Sequence, residues 1–423
     1  MNSEYVEYKI SEIATIVGGG TPKTSNEAYF DGDIPWITPK DMSDNPTMYT
    51  SSGFRNVSDE GLSSCSAKMV PAGSILMSSR APVGLLTISA NPVCTNQGIR
   101  SLILNEEIAD AEYVYYKLGT MLPVIEAYSS GATFPEISGS SFGKISIILP
   151  PINQQKLISR ILRDLDSMIE KSGVISSING HQISALFRSW FIDFDPVKAK
   201  AEGKLPYGMD EETAALFPDS FEDSELGQVP TGWTVGMMED VLSRKQDSTT
   251  PGEHLSERHY VPIDNIDSKN LTLKNWLPYN EAASSLILFS KNDLLFGAMR
   301  PYFHKVTIAP FDGITRSTCF VFTPKVPGTL GFSLCLLNLD STIRYSTDSS
   351  LGSTMPYAIW RNGLARHKII LPPPQIMVAF SAQIAPLIEK IRDGGLKIRN
   401  LSSARDALLP RLMSGELKVP MEA

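Results

Sequence analysis

The 423 residues are enough for about three domain-sized pieces, and 42% hydrophobic content with 29 prolines and 30 glycines is that of a globular chain. The opening MNSEYVEYK has neither a basic stretch nor an apolar core, so no signal peptide is expected, and no apolar run approaches membrane-spanning length. Cys65, Cys94, Cys319 and Cys335 show no close pairing and read as reduced, half-buried residues of a cytoplasmic protein.

A net charge of −8 argues against a nucleic-acid partner until its distribution is considered. Residues 202–228 hold eight acids and one base, −7, which leaves −1 for the rest. Residues 61–104 carry Lys68, Arg80 and Arg100 and no acid, and residues 294–325 carry Arg300, Lys305, Arg316 and Lys325 against Asp312 alone. Phosphate binding needs a local basic face whatever the total. Ordinary surface scatter explains the same charges equally well.

In chain order, residues 1–150 read as a mixed, strand-rich domain. Runs such as ILMS, GLLTI and IRSLIL alternate with Gly, Pro, Asn and Ser clusters. One amphipathic helix is expected near 110–127, and VGGGTPKTSNEAYFDGDIPW is a long glycine-rich loop of the functional kind. Pro150 and Pro151 punctuate a short apolar strand ending at Leu149.

A helical spacer follows over 151–196. Ile158, Leu162, Leu165 and Ile169, then Ile183, Leu186 and Trp190, recur at the 4-3 spacing of a helix seam. Ser172, Ser176 and Asn179 weaken its middle, Gly173 and Gly180 predict bends, and Phe194-Asp195-Pro196 stops it. Residues 197–228 read as a solvated acidic linker.

The pattern then repeats. Residues 229–371 form a second mixed domain and 372–423 a second helical spacer. Leu149 aligns with Leu371, and the same offset carries Ile158 to Phe380, Leu165 to Leu387, Leu186 to Leu408 and Trp190 to Leu412. Residues 73–82 lie over 293–301 with Arg80 on Arg300, Thr95 falls on Thr315, and SSGATFP on SSLGSTMP. Pro386 and Gly394-Gly395 predict a bent second helix. A repeat this long is a duplicated domain-plus-helix unit. Two-fold symmetry between the halves would pack the helices, each roughly 65 Å at ~1.5 Å per residue, antiparallel.

Chemistry is sparse. There is no Gly-x-x-x-x-Gly-Lys-Ser/Thr loop, no Asn/Asp-Pro-Pro-Tyr/Phe motif, and Gly18-Gly19-Gly20 does not join a strand to a helix. The five histidines are scattered without a metal-binding set, and Asp406 with Glu416-x-Lys418 reads as charged flanks of a helix end. What remains suits recognition. Lys23, Lys40, Ser78, Ser79, Arg80, Asn96, Gln97, Arg300, Tyr302, His304, Arg316, Ser317 and Arg361 lie on or beside loops. Asn, Gln and Arg can pair with base edges, and Ser, Thr and Lys with phosphates.

The doubled order of LPPINQQ and LPPPQ opening long helices, ALFRSWFIDFDPVKAK closing the first, PTGWTV opening the second domain, GSILMSSRAPVG and RDALLPRLMSGELKV resembles the DNA-specificity subunit of Type I restriction–modification systems. The resemblance implies an α+β fold: two tandem mixed α/β target-recognition domains separated by two long helices packed as an antiparallel coiled coil. It also implies a non-catalytic subunit, each domain reading one half of a bipartite asymmetric site in double-stranded DNA. The helices would set the gap and dock two methyltransferase subunits, with two restriction/translocase subunits joining for cleavage. S-adenosylmethionine, ATP and magnesium would belong to those partners, with no cofactor in this chain. Ile158, Leu165, Phe187, Trp190, Phe191, Phe380, Leu387, Leu408 and Leu412 are the expected partner-binding helix residues. The competing readings are a protein-interaction scaffold without direct DNA reading and a stand-alone DNA-modifying enzyme.

Overall fold

The computed structural model describes residues 5–131 and 135–420. They form two compact units, Met1–Ser167 with Ser403–Ala423, and Met168–Ser402. Two 40-residue helices, Ile152–Phe191 and Pro374–Met413, contribute to both units and span about 60 Å each at ~1.5 Å per residue.

In the first unit a five-stranded sheet has the order Ala14–Gly18, Ile99–Leu104, Ile75–Ser79, Val83–Ser89, Tyr49–Thr50. A three-stranded sheet joins Arg55–Val57, Phe30–Ile37 and Cys94–Thr95, the last pair parallel. Val6–Lys9 pairs antiparallel with Ser146–Leu149, the strand that leads into the first long helix. Buried Ile75, Met77, Leu102 and Phe142 meet Ile158 and Leu162 of that helix in one core, along with Leu412 of the second.

The second unit repeats the plan. Leu242–Lys245, Cys319–Pro324, Leu294–Gly297 and Val306–Ile308 form a four-stranded sheet, and Thr234–Met237 pairs with Lys368–Leu371 ahead of the second long helix. A five-stranded sheet runs Ser248–Thr249, Leu286–Phe289, Gly313–Arg316, His259–Tyr260, Leu277–Pro278. Its main core is aromatic: the Phe380 ring lies 5.6, 5.4 and 5.0 Å from those of Phe187, Trp190 and Phe191. Each such pair adds about 0.5–1.5 kcal/mol beyond its buried area. Because Phe187–Phe191 meet Phe380 while Ser176 meets Gly394, the two helices run antiparallel within this unit.

Several sequence expectations are corrected. The helix expected over 110–127 is two, Ala111–Thr120 and Leu122–Ala127, the second with Pro123 in its first turn, where its missing N–H costs nothing. Phe194-Asp195-Pro196 does not merely end a helix. Phe194 turns left-handed at φ 54°, and Asp195–Ala201 starts anew with Pro196 in its first turn. Residues 197–228 are no tether: they form helix Glu211–Ala215 and hairpin Phe221–Ser224/Gly227–Pro230. Val197, Met209, Ala214 and Phe217, spaced among the acids, are buried in the aromatic core.

The glycines and serines of the long helices also read differently. Neither helix is interrupted. Ser172, Ser176 and Asn179 are buried and continue the seam. A Cβ on Gly394 would stand 2.3 Å from Ser176 Oγ, and one on Gly395 2.3 Å from the Leu273 carbonyl oxygen. Gly395 is kept small by the Leu273 backbone and Gly394 faces the Ser176 hydroxyl, whereas Gly173 and Gly180 face open space.

The repeat register shifts as well. Ile75 pairs with Leu102 and Leu294 with Phe322, while Gly73 and Asn292 share a positive φ, 81° and 73°. Arg80 therefore corresponds to Met299, not Arg300; a one-residue slip exchanges the faces of a strand.

Candidate nucleic-acid interface

In the first unit, four loops converge at one end of the sheets. The glycine-rich loop is fixed by close approach. A Cβ on Gly19 would stand 2.0 Å from the Asn96 carbonyl oxygen and one on Gly20 2.4 Å from the Ala67 nitrogen, so neither position admits a side chain. The Gly20 amide donates to the Thr95 carbonyl at 2.9 Å, the Trp36 indole donates to the Gly20 carbonyl at 3.1 Å, and the Thr21 hydroxyl donates to the Gln97 side chain. The exposed Lys23 follows on the same loop.

The second loop is a capped helix start. Thr38 Oγ1 accepts from the Asp41 amide at 3.3 Å, Asp41 accepts from the Thr38 amide at 2.8 Å, and Pro39 occupies the first turn. The exposed Lys40 is thereby held beside Pro39, which lies against Gly98. Asp41 also accepts from the Phe54 amide at 2.8 Å, and the Phe54 side chain is 94% exposed.

The third and fourth loops bring the arginines. The Asn96 amide donates to the Ile37 carbonyl at 3.0 Å while Asn96 Oδ1 accepts from the Gly98 amide at 2.9 Å. Exposed Gln97 caps this tip. Arg100 Nη1 donates to the Gln97 carbonyl at 3.0 Å, and its Nη2 to Glu136 Oε1 at 3.2 Å. The other Glu136 oxygen lies 3.8 Å from Arg80 Nη1. Lys23, Lys40, Arg80, Asn96 and Gln97 thus belong to one tip. A cavity of about 630 Å³ opens beside it, lined by Arg80, Pro82, Val83, Glu126 and Glu136. Part of the SSGATFP motif, residues 132–134, lies outside the described residues.

The second unit builds the same tip with other side chains. The Ser79 amide donates to the Gly98 carbonyl in one, and the Ala298 amide to the Thr318 carbonyl in the other, at 2.7 and 2.8 Å. Residue bridges Ser130–Glu136–Arg80 and Leu351–Tyr357–Met299 superpose as a pattern. Asn96-Gln97 corresponds to exposed Arg316-Ser317 and Glu136 to Tyr357. The Tyr357 hydroxyl donates to the Ser317 carbonyl, and burial lifts its pKa above the usual range. Arg244 stacks 4.0 Å from the Phe320 ring centre, a cation–π contact. Burial lowers its pKa, and among the described residues its buried Nε has no hydrogen-bond partner, nor has that of Arg300. Tyr302 and Phe303 form an exposed aromatic pair, ring centres 4.8 Å apart. Arg361 is exposed on a turn beside Trp360, and among the described residues no hydrogen bond or ion pair joins it to this tip.

Three expected contacts are withdrawn. Ser78 is buried and bonds the Pro82 carbonyl and Leu85 amide at 2.7 and 2.8 Å. Ser79 is buried, and among the described residues its hydroxyl has no partner. His304 is buried against Asn338 at 2.9 Å and Asp340 at 3.4 Å. All three side chains point inward: the strand Ile75–Ser79 buries both serines, and the turn that exposes Tyr302 and Phe303 directs His304 against Asn338. The helix residues are corrected likewise. Ile158, Phe187, Trp190, Phe191, Phe380 and Leu412 are buried within their own units, and Leu165, Leu387 and Leu408 partly so. The apolar side chains that the first long helix exposes are Met168, Val174, Ile175 and Ile178.

Sequence reasoning missed Arg244, Phe54, Glu136 and Tyr357. The last two had a signal: each directly follows the proline of the matched SSGATFP and SSLGSTMP motifs. Elsewhere the side chains hold structure. Asp406 pairs with Arg405 and Glu416 with Arg411, at 2.8 and 2.9 Å. His254 bonds Thr249, and His259 packs on Phe311 and Trp276. Among the described residues no cluster of three His, Cys, Asp or Glu is placed to hold a metal, and no helix is long and apolar enough to cross a membrane. The cysteines are free, and burial pushes the thiols of Cys94 and Cys319 up to about 12, far from nucleophilic readiness.

Two like tips on a duplicated scaffold are the features of a recognition subunit, and residues 2–179 match the family described as the Type I restriction modification DNA specificity domain. The chain belongs to the type I restriction enzyme specificity subunits: it is 33% identical to the MjaIX specificity subunit of Methanocaldococcus jannaschii, over 97% of this chain and 93% of that one. It is 24% identical to the HindI specificity subunit of Haemophilus influenzae, over 69% and 73%. In fold it matches the crystal structure of the type I restriction–modification S subunit from M. genitalium, with a TM-score of 0.62 at 13% identity, covering 100% of this chain and 98% of that one. As a specificity subunit it is the non-catalytic member of its complex.

Proposed function

We propose that each unit reads one half of a bipartite asymmetric site in double-stranded DNA, the first through the tip around Asn96, Gln97, Arg80 and Arg100, the second through Arg316, Ser317, Arg244 and Arg300. The observation that carries this reading is the repeated tip: one backbone device presents different hydrogen-bonding side chains in the two units. Asn and Gln suit the adenine edge, Arg the guanine edge, and Lys23 and Lys40 the phosphates. The long helices set the gap between the half-sites. Met168, Val174, Ile175 and Ile178 supply an apolar strip for methyltransferase subunits, two per complex, joined by two restriction/translocase subunits for cleavage. S-adenosylmethionine, ATP and magnesium act on those partners.

The test is a methylation map. This chain and its methyltransferase subunit are expressed in a methylation-free host, and modified bases are located by long-read sequencing. A two-part motif with a fixed gap is the expected result. A continuous motif, or none from a soluble complex, contradicts the proposal.

A further inference from the structure

Glu136 is out of place on a surface that meets phosphates. Its side chain is 40% exposed among cations, where it weakens the local positive potential. Its geometry accounts for it. One carboxylate oxygen is 3.2 Å from Arg100 Nη2 and the other 3.8 Å from Arg80 Nη1, so a single side chain couples the two guanidinium groups of the tip. Arg100 is further tied to the Gln97 carbonyl at 3.0 Å. The backbone of Glu136 is fixed too: it bridges to both Ser130 and Arg80, and the next amide, Ile137, donates to the Ser79 carbonyl at 3.0 Å. The carboxylate therefore projects from a rigid stalk.

The second unit supplies an independent observation. Tyr357 occupies the same bridge, between Leu351 and Met299, and the next amide, Ala358, donates to the Ala298 carbonyl at 2.8 Å. Its side chain again reaches the tip, by its hydroxyl to the Ser317 carbonyl. The position thus faces the tip in both units, but with different chemistry: an anion that hydrogen-bonds Arg100 and attracts Arg80, and a neutral hydroxyl that holds a backbone carbonyl.

We propose that residues 136 and 357 are positioning residues that set base specificity, Glu136 by fixing the directions of Arg80 and Arg100 and Tyr357 by fixing the backbone that carries Arg316 and Ser317. A bidentate guanidinium contact discriminates only when its plane is aimed at one base edge. Releasing the aim relaxes discrimination while leaving both arginine charges and the fold in place. This inference rests on the half-site reading above.

The experiment maps methylation by the complex carrying the unaltered chain, Glu136→Gln, Glu136→Asp or Tyr357→Phe. Glu136→Gln keeps the shape but removes the charge that couples the arginines. Its expected result is about a tenfold rise in methylation at sites with one altered base in one half, with the other half unchanged. Glu136→Asp restores part of the lost discrimination, and Tyr357→Phe relaxes the opposite half. A uniform fall across all sites, or unchanged discrimination in Glu136→Gln and Tyr357→Phe, overturns the inference while the reading of two half-sites stands. A one-part motif from the unaltered chain overturns that reading itself.

Discussion

The first tip and the second tip share a backbone and almost no side chains. In both, a strand end donates to a neighbouring loop, a bridge residue follows a proline, and a two-residue turn is presented to solvent. The first fills this frame with Asn96, Gln97, Arg80, Arg100 and Glu136, an ion-paired, amide-rich surface. The second fills it with Arg316, Ser317, Arg244 and Tyr357, where the cation is stacked on an aromatic ring. Hydrogen bonds of the main chain hold the frame, so side chains facing solvent are free to change without loss of fold. That is the separation a protein needs to read two different sequences with one architecture.

The comparison extends to the cores, and the largest expected effects lie there. Phe380→Ala removes the ring at the centre of the aromatic cluster and is expected to destabilise the second unit by about 3–5 kcal/mol. Hydrogen exchange should show protection lost over 168–402 and retained over 5–131. Equal loss in both would mean that the units are not separate cooperative bodies.

Next in size is the close approach of the Leu273 backbone to the second long helix. Gly395→Ala collides with the Leu273 carbonyl and should cost about 1–3 kcal/mol by denaturant titration. Gly173→Ala, facing open space in a helix, should stabilise by about 0.5–1 kcal/mol. A stabilising Gly395→Ala would return that glycine to the role of a bend.

Smaller still is the phosphate term. Lys40→Ala should weaken DNA binding by the assembled complex evenly across sequences and lower the salt slope by about one. A change confined to one base position would make Lys40 a base reader instead.

The smallest effect is on pH. Burial lowers the pKa of His259 and His367 below the usual 6.5, so both are neutral when folded. The unfolded chain binds protons first as pH falls. The stability of the second unit is therefore full above about 6.5 and declines below it, through the lowered folded values. Between pH 5 and 8, roughly the histidine window, the melting temperature of His367→Phe should fall less with falling pH than that of the unaltered chain.

Much of this was legible in the sequence for a physical reason. The seam from Ile158 to Trp190 and its echo from Phe380 to Leu412 are local apolar periodicities, and the proline-punctuated strands ending at Leu149 and Leu371 are local signals too. What escaped depends on tertiary approach. Gly394 and Ser176 look like helix weaknesses until each is seen packed against the other. Val197, Met209 and Phe217 look like passengers in an acidic tether until a core receives them. Ser78 and His304 have the right chemistry for DNA but the wrong face, and strand register, which placed Arg80 over Arg300, is ambiguous by one residue without pairing. Glu136 was hidden because an acid is not sought on a basic surface.

The most direct test of one tip for each half-site is the methylation map of two variants, Asn96→Ala with Gln97→Ala and Arg316→Ala with Ser317→Ala, against the unaltered chain. The account predicts that each relaxes a different half of the motif by about tenfold at one or two base pairs and leaves the gap and the other half unchanged. Relaxation of the same half by both, or of both halves by either, would contradict it.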